Sequence, residues 1–252
     1  MLLSAPSDSG FPMFVDVVDL RSFYAQPIGV VARRLLTQAI RERWPRASGQ
    51  RLVGLGYATP YLGAFREEAE RVFAFMPAGQ GVVKWPSADL CRTALVEETQ
   101  LPLPDAAVDR LLAVHALELT YNAPEMLREM WRVLAANGRV LIVVPNRRGI
   151  WARSDVTPFG HGRPFSRGQL VELLREALFT PVGWSEALWI PPVTRVPFLR
   201  SSLAWERVGR TLSLPFAGVH IVEAAKQVFR PIPVKSAKRR SPVFVPATIS
   251  RG

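Results

Sequence analysis

Short apolar runs alternate with amphipathic segments through the middle of the chain, and this alternation restricts the fold more than any other feature. RLVGLG, RVFAFM, VDRLLAVHAL and RVLIVVPN have the length and apolar content of buried strands. Residues 28–44, before the first run, and 122–138, between the last two, show helical spacing. Strands that alternate with helices pair in parallel through right-handed crossovers. We therefore expect an α/β fold, a Rossmann-like, doubly wound, mostly parallel sheet with helices on both faces, whose central strands include residues 52–55, 110–114 and 140–144.

Other elements depend on weaker local signals. A third short strand is predicted at either residues 81–84 or residues 94–96. The helix over residues 122–138 is expected to end at Asn137-Gly138, a pair that tolerates left-handed backbone. The segment SRGQL, which begins at Ser166, is a predicted capping box for a further helix. PVGWSEALWI is the last predicted strand.

Composition divides the chain into four segments. We expect an N-terminal arm over residues 1–27, the sheet domain over 28–190, a helical extension over 191–230 and a basic, Pro-containing disordered tail over 231–252. Three prolines break the chain near the start of the extension, which is rich in aromatic residues. The tail has no acidic residue and no apolar face, so it cannot bury enough apolar surface to order itself.

A formal net charge of +11 sets the kinds of partner to consider. The last acidic residue is Glu223, and the cationic residues after it are interspersed with prolines. Such a tail either keeps a protein in solution or contacts anionic lipid or nucleic acid. The sequence has no zinc-finger spacing, aromatic RNA-binding signature or basic recognition helix, so nucleic-acid binding is the less favoured alternative.

The single cysteine and the absence of a long apolar run exclude several classes of protein. Cys91 alone forms neither an intramolecular disulfide nor a Cys-rich metal site, so we expect no metal and a reducing compartment. No apolar run approaches the roughly 18 residues of a membrane-spanning helix, and the first residues lack the basic n-region and long apolar run that are typical of a signal peptide. We expect a cytoplasmic protein with no integral membrane segment.

Three stretches resemble the class I S-adenosylmethionine-dependent methyltransferases, specifically the type 11 kind. ALVEETQLPLPDAAVDRLLAVHALE is similar to the family's segment in which an acid precedes a Leu-Pro, a Pro-Asp turn and an Asp that opens the fourth strand. MLREMWRVLAANGRVLIVVPN is similar to the helix, turn and fifth strand, and LVGLGYATPYL takes the place of the cofactor loop. The likeness covers roughly residues 52–184 and implies S-adenosylmethionine as the cofactor and a small-molecule methyl acceptor.

The cofactor loop departs from the family's pattern. The family usually has an acid and two further glycines where this chain has Gly54, Ala58 and Pro60. A second acid, which bonds the ribose diol in the family, is replaced near Phe75-Met76. The resemblance therefore implies a degenerate loop and modest cofactor affinity, with Ala58 strained by about 1–2 kcal/mol if it must be left-handed.

The resemblance implies a set of cofactor-binding residues after the first three strands. Thr59 is expected to cap a helix with Pro60 in its first turn, whose free N–H groups attract the cofactor's carboxylate. Either Glu97 or Glu98 accepts from the adenine amino group, unless the pair is simply solvated, and Phe75 with Met76 either flanks the adenine or belongs to the core. The full set of cofactor candidates is Gly54, Gly56, Tyr57, Ala58, Phe75, Met76, Glu97 and Glu98.

Polar residues after the fourth and fifth strands are candidates for the acceptor side. His115, Asn146, Arg147 and His161 are expected to converge on one cleft at the carboxyl ends of the strands. His115 or His161 is the candidate catalytic base. The pair Arg147 and Arg148 suggests an anionic acceptor.

Two other functions remain open at this point. The runner-up is a catalytically silent methyltransferase-like domain that binds a partner through its basic, aromatic C-terminal part. A dehydrogenase comes third, because a dinucleotide site requires a fuller Gly-rich turn and an acid after the second strand. A methyltransferase needs little acid–base equipment, since its cofactor is already activated and the protein mainly aligns the nucleophile and excludes water.

Overall fold

One seven-stranded sheet organises the part of the chain that is described. The computed structural model describes residues 15–193, 199, 201–211 and 216–228. The strands are β1 (Arg51–Gly56), β2 (Arg71–Pro77), β3 (Thr93–Val96), β4 (Val108–Val114), β5 (Leu134–Pro145), β6 (Phe179–Ala187) and β7 (Val219–Lys226). Their order across the sheet is β3-β2-β1-β4-β5-β7-β6.

Helices connect most of these strands. The α-helices are α1 (Val17–Ala25), α2 (Pro27–Arg43), α3 (Thr59–Leu62), α4 (Ala123–Val133), α5 (Arg167–Glu176) and α6 (Ser202–Thr211). Short 3-10 helices span Gly63–Phe65, Trp151–Arg153 and Pro158–Gly160. The predicted capping box is confirmed, because Ser166 Oγ accepts from the backbone N–H of Gln169 at 3.3 Å and Gln169 Oε1 accepts from the backbone N–H of Ser166 at 3.0 Å.

The predicted parallel core of the sheet is confirmed. β1 pairs in parallel with β2 and β4, and β4 pairs in parallel with β5. β5 lies inside the sheet, between β4 and the antiparallel β7. Of the two candidates for a third strand, residues 94–96 are the correct one, within β3. The first five strands therefore end at one edge, which we call the carboxyl edge.

Two hydrophobic layers cover the two faces of the sheet. One contains buried residues of α1, α2 and α3, among them Leu20, Leu36 and Leu62. The other contains buried residues of α4 and α5, among them Leu127 and Leu170. Helices therefore cover both faces, which confirms the doubly wound, Rossmann-like class.

The predicted character of both terminal segments is partly wrong. Residues 17–25, which were expected to belong to an arm, form α1. Asp16 caps the N-terminus of this helix, because its Oδ1 accepts from the backbone N–H of Val18 at 2.7 Å. Residues 219–226, which were expected to belong to a helical extension, form β7 and insert between β5 and β6. The run VHIVEAAK is buried through most of its length on both faces, so it meets the requirement of an interior strand.

The boundary between α4 and β5 also differs from the prediction. α4 ends at Val133, because Leu134 adopts extended backbone (φ −72°, ψ 137°) and opens β5 directly. Asn137 and Gly138 therefore lie in the strand and not at a helix end. The disordered tail predicted over residues 231–252 lies outside the described residues. Among the helices that are described, none combines the length and the apolar character that crossing a bilayer requires.

Candidate active site

The turn after β1 is short and needs a single left-handed residue. Gly56 ends β1 with φ +78°, whereas Ala58 is right-handed (φ −87°, ψ −11°) and therefore unstrained. The helix that follows, α3, has only four residues, with Pro60 in its first turn. A helix of four residues offers at most a small dipole to an anion at its N-terminus.

The glycines of β1 are packed against atoms of the chain itself. A Cβ atom at Gly56 would lie 2.4 Å from the carbonyl oxygen of Val114 and 2.7 Å from that of His115. A Cβ atom at Gly54 would lie 2.7 Å from the Cβ atom of Ala58. Gly56 therefore allows the end of β4 to approach the end of β1, and Gly54 allows the turn to fold back on the strand.

Three tyrosines and a histidine fill the space above this turn. Tyr24, from α1, stacks on Tyr57 with ring centroids 5.6 Å apart and an interplanar angle of 23°. Its hydroxyl lies 2.7 Å from the hydroxyl of Tyr61 and 2.8 Å from Nε2 of His115. Burial raises the pKa of Tyr24 and of Tyr61, so both side chains are neutral phenols. The phenol of Tyr24 therefore bridges the β1 turn and the loop after β4.

His115 is fully buried at the end of β4. Its backbone is left-handed (φ +50°), and its ring lies 4.7 Å from the ring of Phe159. Nδ1 of His115 lies 3.3 Å from Oε1 of Glu118, but this contact lacks hydrogen-bond geometry. The side-chain amide of Gln80 donates to the carbonyl oxygen of His115 at 3.0 Å. His115 is thus held from three sides by α1, by the loop after β2 and by its own loop.

Two side-chain hydrogen bonds tie the loops of the carboxyl edge together. Gln80 follows β2 and His115 follows β4, so their bond passes over the end of β1, which lies between those strands. Glu98 follows β3 and accepts at Oε1 from the hydroxyl of Thr120, in the loop after β4, at 3.2 Å. The place where the strand order reverses, between β1 and β4, is therefore covered by the chain itself.

The other cofactor candidates face different surroundings. Phe75 belongs to the hydrophobic layer of α4 and α5, whereas Met76 belongs to the layer of α1 and α2 and accepts at Sδ from the N–H of Val83 at 3.4 Å. Glu98 is buried, but Glu97 is exposed and lines a surface cavity with Arg128 and other residues. The two adjacent acids therefore do not serve the same place.

A groove of about 740 Å³ opens on the carboxyl edge beside α1, and we call it the α1 groove. Its lining includes Asp16, Asp19, Phe23, Gly79, Asp155 and His161. His161 belongs to the loop that packs on the β4 loop, because the N–H of Arg163 donates to the carbonyl oxygen of Glu118 at 2.8 Å. His161 and His115 therefore lie at the same end of the sheet.

The structure brings only one of the four predicted acceptor-side residues into this groove, and that residue is His161. His115 is buried beneath Tyr24. Asn146 is buried, and its amide donates to the carbonyl oxygen of Ala217 at 2.9 Å, which is a structural role. Arg147 and its neighbour Arg148 are exposed and do not line the groove.

Sequence reasoning missed Tyr24, Gln80 and Glu118. Tyr24 lies in the segment taken for an arm, and Gln80 lies beyond the expected end of the second strand. Glu118 had a signal, since it follows His115 by three residues in the largely apolar segment just after β4. A polar side chain in such a place is buried only when it has a structural or binding role.

Residues 44–142 match the family model described as a methyltransferase domain. A probable S-adenosylmethionine-dependent methyltransferase of Mycobacterium tuberculosis (strain ATCC 25618 / H37Rv) is 32% identical over 102 residues, which is 40% of this chain and 36% of the relative. The chain thus spans about a third of the length of the curated relative that it matches. The family-model match covers β1 to β4 and most of β5, the strands that build the carboxyl edge.

Two solved structures have a similar fold. The [4+2]-cyclase SpnF is 24% identical, with a TM-score of 0.55 over 79% of this chain and 82% of that chain. A Burkholderia thailandensis 1,6-didemethyltoxoflavin-N1-methyltransferase, solved with 1,6-didemethyltoxoflavin and S-adenosylhomocysteine, is 18% identical, with a TM-score of 0.52 over 83% of this chain and 82% of that chain. One name is that of a cyclase and the other that of a methyltransferase, so the fold by itself does not fix the reaction.

Proposed function

We propose that the chain binds S-adenosylmethionine at its carboxyl edge and methylates a small molecule, and the match of residues 44–142 to the methyltransferase-domain family model supports this. The observation that carries the proposal is the strand order, which reverses between β1 and β4. Ligands of open α/β sheets bind outside the carboxyl ends of the strands at such a point. The predicted loop, Gly54 to Leu62, and the candidate base His115 both lie there.

Buried polar atoms at this point suit the cofactor. Neither carboxylate oxygen of Glu118 nor the amide oxygen of Gln80 has a hydrogen-bond partner among the described residues. S-adenosylmethionine carries an ammonium group and two ribose hydroxyls, which are donors that such acceptors lack. Glu118 and Gln80 therefore offer oxygen acceptors in a fold whose loop lost its usual acids.

Cofactor binding requires α1 to move. Tyr24 occupies the space between the β1 turn and the β4 loop and is held there by Tyr61 and His115. The N–H of Val17, at the start of α1, also donates to the carbonyl oxygen of Gln80 at 2.8 Å. We assign the cofactor to the space that opens when these contacts break, with Gly56, Tyr57 and Ala58 on one side.

The two neighbouring acids are then expected to act differently. Glu98 is buried on the carboxyl edge and is our candidate for the adenine amino group, with Phe75 and Met76 as the nearest strand-end residues. Glu97 is exposed and faces a surface cavity. The resemblance allowed either acid, and burial favours Glu98.

The cofactor supplies an activated methyl group, so the chain's own task is to orient the acceptor and exclude water. His161 lines the α1 groove and is our candidate to take a proton from an acceptor that enters there. His115 is the alternative base, since its Nε2 becomes free when Tyr24 withdraws. An anionic acceptor, as Arg147 and Arg148 suggest, has to bind outside the groove because neither arginine lines it.

A second candidate is a methyltransferase-like domain that binds a partner without catalysis. The packing of Gly54 and Gly56 against the chain's own atoms favours it, because those glycines leave no space for a ligand as they stand. The partner surface assigned to it lies partly outside the described residues. Cofactor binding separates the two candidates.

Calorimetric titration with S-adenosylhomocysteine tests the proposal. We expect binding to the unaltered protein, weakened about 10- to 100-fold by Glu98→Gln, because a hydrogen bond to a charged group contributes about 1.5–3 kcal/mol. Glu97→Gln is the matched control and should bind as the unaltered protein does. If the unaltered protein shows a cooperative unfolding transition but gives no heat of binding at millimolar ligand, the proposal is defeated. The second candidate, the domain that binds a partner without catalysis, would then be the better explanation.

A further inference from the structure

Two buried acceptors lie beneath α1 without donors. Glu118 and Gln80 are each 1% exposed, and both contact His115. Among the described residues, no donor reaches either oxygen of the Glu118 carboxylate, and none reaches the amide oxygen of Gln80. A buried carboxylate without donors is strongly unfavourable, and native proteins tolerate it mainly at sites that bind something. Three acceptor atoms around one histidine indicate a ligand that brings donors.

The α1 groove leads toward these acceptors. Gly79, which precedes Gln80, lines the groove, and so does Phe23, which precedes Tyr24. The loop of His161 contacts Glu118 through the backbone bond to Arg163. Withdrawal of α1, which carries both Phe23 and Tyr24, therefore joins the groove to the buried acceptors.

The groove is acidic in a chain that is basic overall. Its lining contains Asp16, Asp19 and Asp155, and among the described residues it contains neither Lys nor Arg. The whole chain has a formal net charge of +11. A cation is therefore attracted to this opening, whereas an anion meets three carboxylates there and a fourth, Glu118, below.

We propose that Glu118 and Gln80 bind a positively charged, N–H-donating group of a ligand that enters through the α1 groove. An alkylammonium group has three donors and one positive charge, which match the free acceptors and the charge of the site. The group belongs either to an amine that serves as methyl acceptor or to the cofactor's amino-acid end. Naming that ligand as a reactant rests on the proposed function, but the binding itself does not.

Two aromatic ligands of similar size and opposite charge test this proposal without any cofactor. Ligand-observed NMR would compare 2-phenylethylamine with 3-phenylpropionate on the unaltered protein, on Glu118→Gln and on Glu172→Gln. Glu172 is an exposed acid on α5, on the opposite face of the sheet, so it is the matched control. We expect the amine to bind at least tenfold more tightly than the carboxylate to the unaltered protein and to the control, and Glu118→Gln to abolish that preference.

Further arms distinguish the sources of the cation and guard against misfolding. If S-adenosylhomocysteine loses affinity tenfold in Glu118→Gln and the amine does not, the site holds the cofactor's ammonium group, and the proposal stands. Asp155→Asn changes an exposed groove residue. It should lower the affinity for the amine two- to threefold without changing the unfolding transition. Two results together overturn the proposal. The first is that the amine binds no better than the carboxylate, or not at all, and the second is that Glu118→Gln leaves the affinity for S-adenosylhomocysteine unchanged. If the unaltered protein does not bind S-adenosylhomocysteine but still prefers the amine, the proposed function is defeated and the amine site is supported.

Discussion

Gly56→Ala should destabilise the fold severely, because Gly56 is required by the chain's own packing. The residue has φ +78°, and a left-handed conformation costs an L-residue about 1–2 kcal/mol. The added Cβ atom would also lie 2.4 Å from one backbone oxygen of β4 and 2.7 Å from the next. Backbone cannot rotate away as a side chain can, so overpacking adds about 1–3 kcal/mol. We expect a loss of about 2–5 kcal/mol in the free energy of unfolding, a large part of a typical domain's stability.

Urea denaturation followed by circular dichroism measures this loss, with Gly63→Ala as the matched control. Gly63 has ordinary right-handed backbone (φ −55°), and a Cβ atom placed there meets no heavy atom within 4 Å. The control should therefore be neutral or gain up to about 1 kcal/mol, because alanine restricts the unfolded chain. If Gly56→Ala lost less than about 1 kcal/mol but abolished S-adenosylhomocysteine binding, the glycine would serve the ligand and the packing explanation would be refuted.

Three further substitutions test other contacts of the described residues. Glu223→Gln should lower the free energy of unfolding by about 2–4 kcal/mol, because the buried carboxylate lies within 3.0–3.7 Å of three partly exposed arginines. An unchanged midpoint in a urea titration would show that this cluster contributes nothing to stability. Tyr24→Phe should cost about 1–3 kcal/mol, because it leaves the hydroxyl of Tyr61 and Nε2 of His115 without their partner, and a thermal midpoint equal to that of the unaltered protein would contradict this. The Arg132 guanidinium lowers the pKa of Glu129, so this pair stabilises the fold above the unfolded pKa of about 4.3, and its contribution is lost as pH falls through the lower folded pKa. The stability difference between the unaltered protein and Glu129→Gln should therefore shrink on acidification, and a constant difference between neutral and strongly acidic pH would be inconsistent with that linkage.

The sheet could be predicted from the sequence because its signals are local. Each central strand contains a continuous apolar run, and a run that is buried on both faces needs no other pattern. The sequence does not predict β7, because VHIVEAAK follows a Pro- and aromatic-rich segment whose pattern favours a helical extension. Its place depends on antiparallel pairing with β5 and β6, which are distant in sequence. Partners of that kind leave no local trace.

The candidate site could be predicted only as a location. The carboxyl edge followed from the order of elements, and His161 does line a groove there. The contacts that close the site join residues far apart in the chain, such as Tyr24 with His115 and Gln80 with His115. Ala58 does not have to adopt the left-handed conformation that would have strained it, because α3 begins early enough to keep that residue right-handed. Such geometry depends on packing that no single segment encodes.

If the proposed function holds, the altered loop and the buried acceptors are two parts of one rearranged binding site along the carboxyl edge. In the resembled family, glycines and an acid at the ends of the first two strands receive the cofactor, and here β1 ends in a tight turn closed by the chain's own backbone. The buried carboxylates of this edge instead follow β3 and β4, at Glu98 and Glu118. Glu98 already has a partner in Thr120, whereas Glu118 has no hydrogen-bond donor among the described residues. Under the proposal above, a ligand that enters beneath α1 therefore meets a buried carboxylate on the β4 side, which lies 3.3 Å from Nδ1 of His115 but accepts no hydrogen bond from it, and that side should set the charge of what binds.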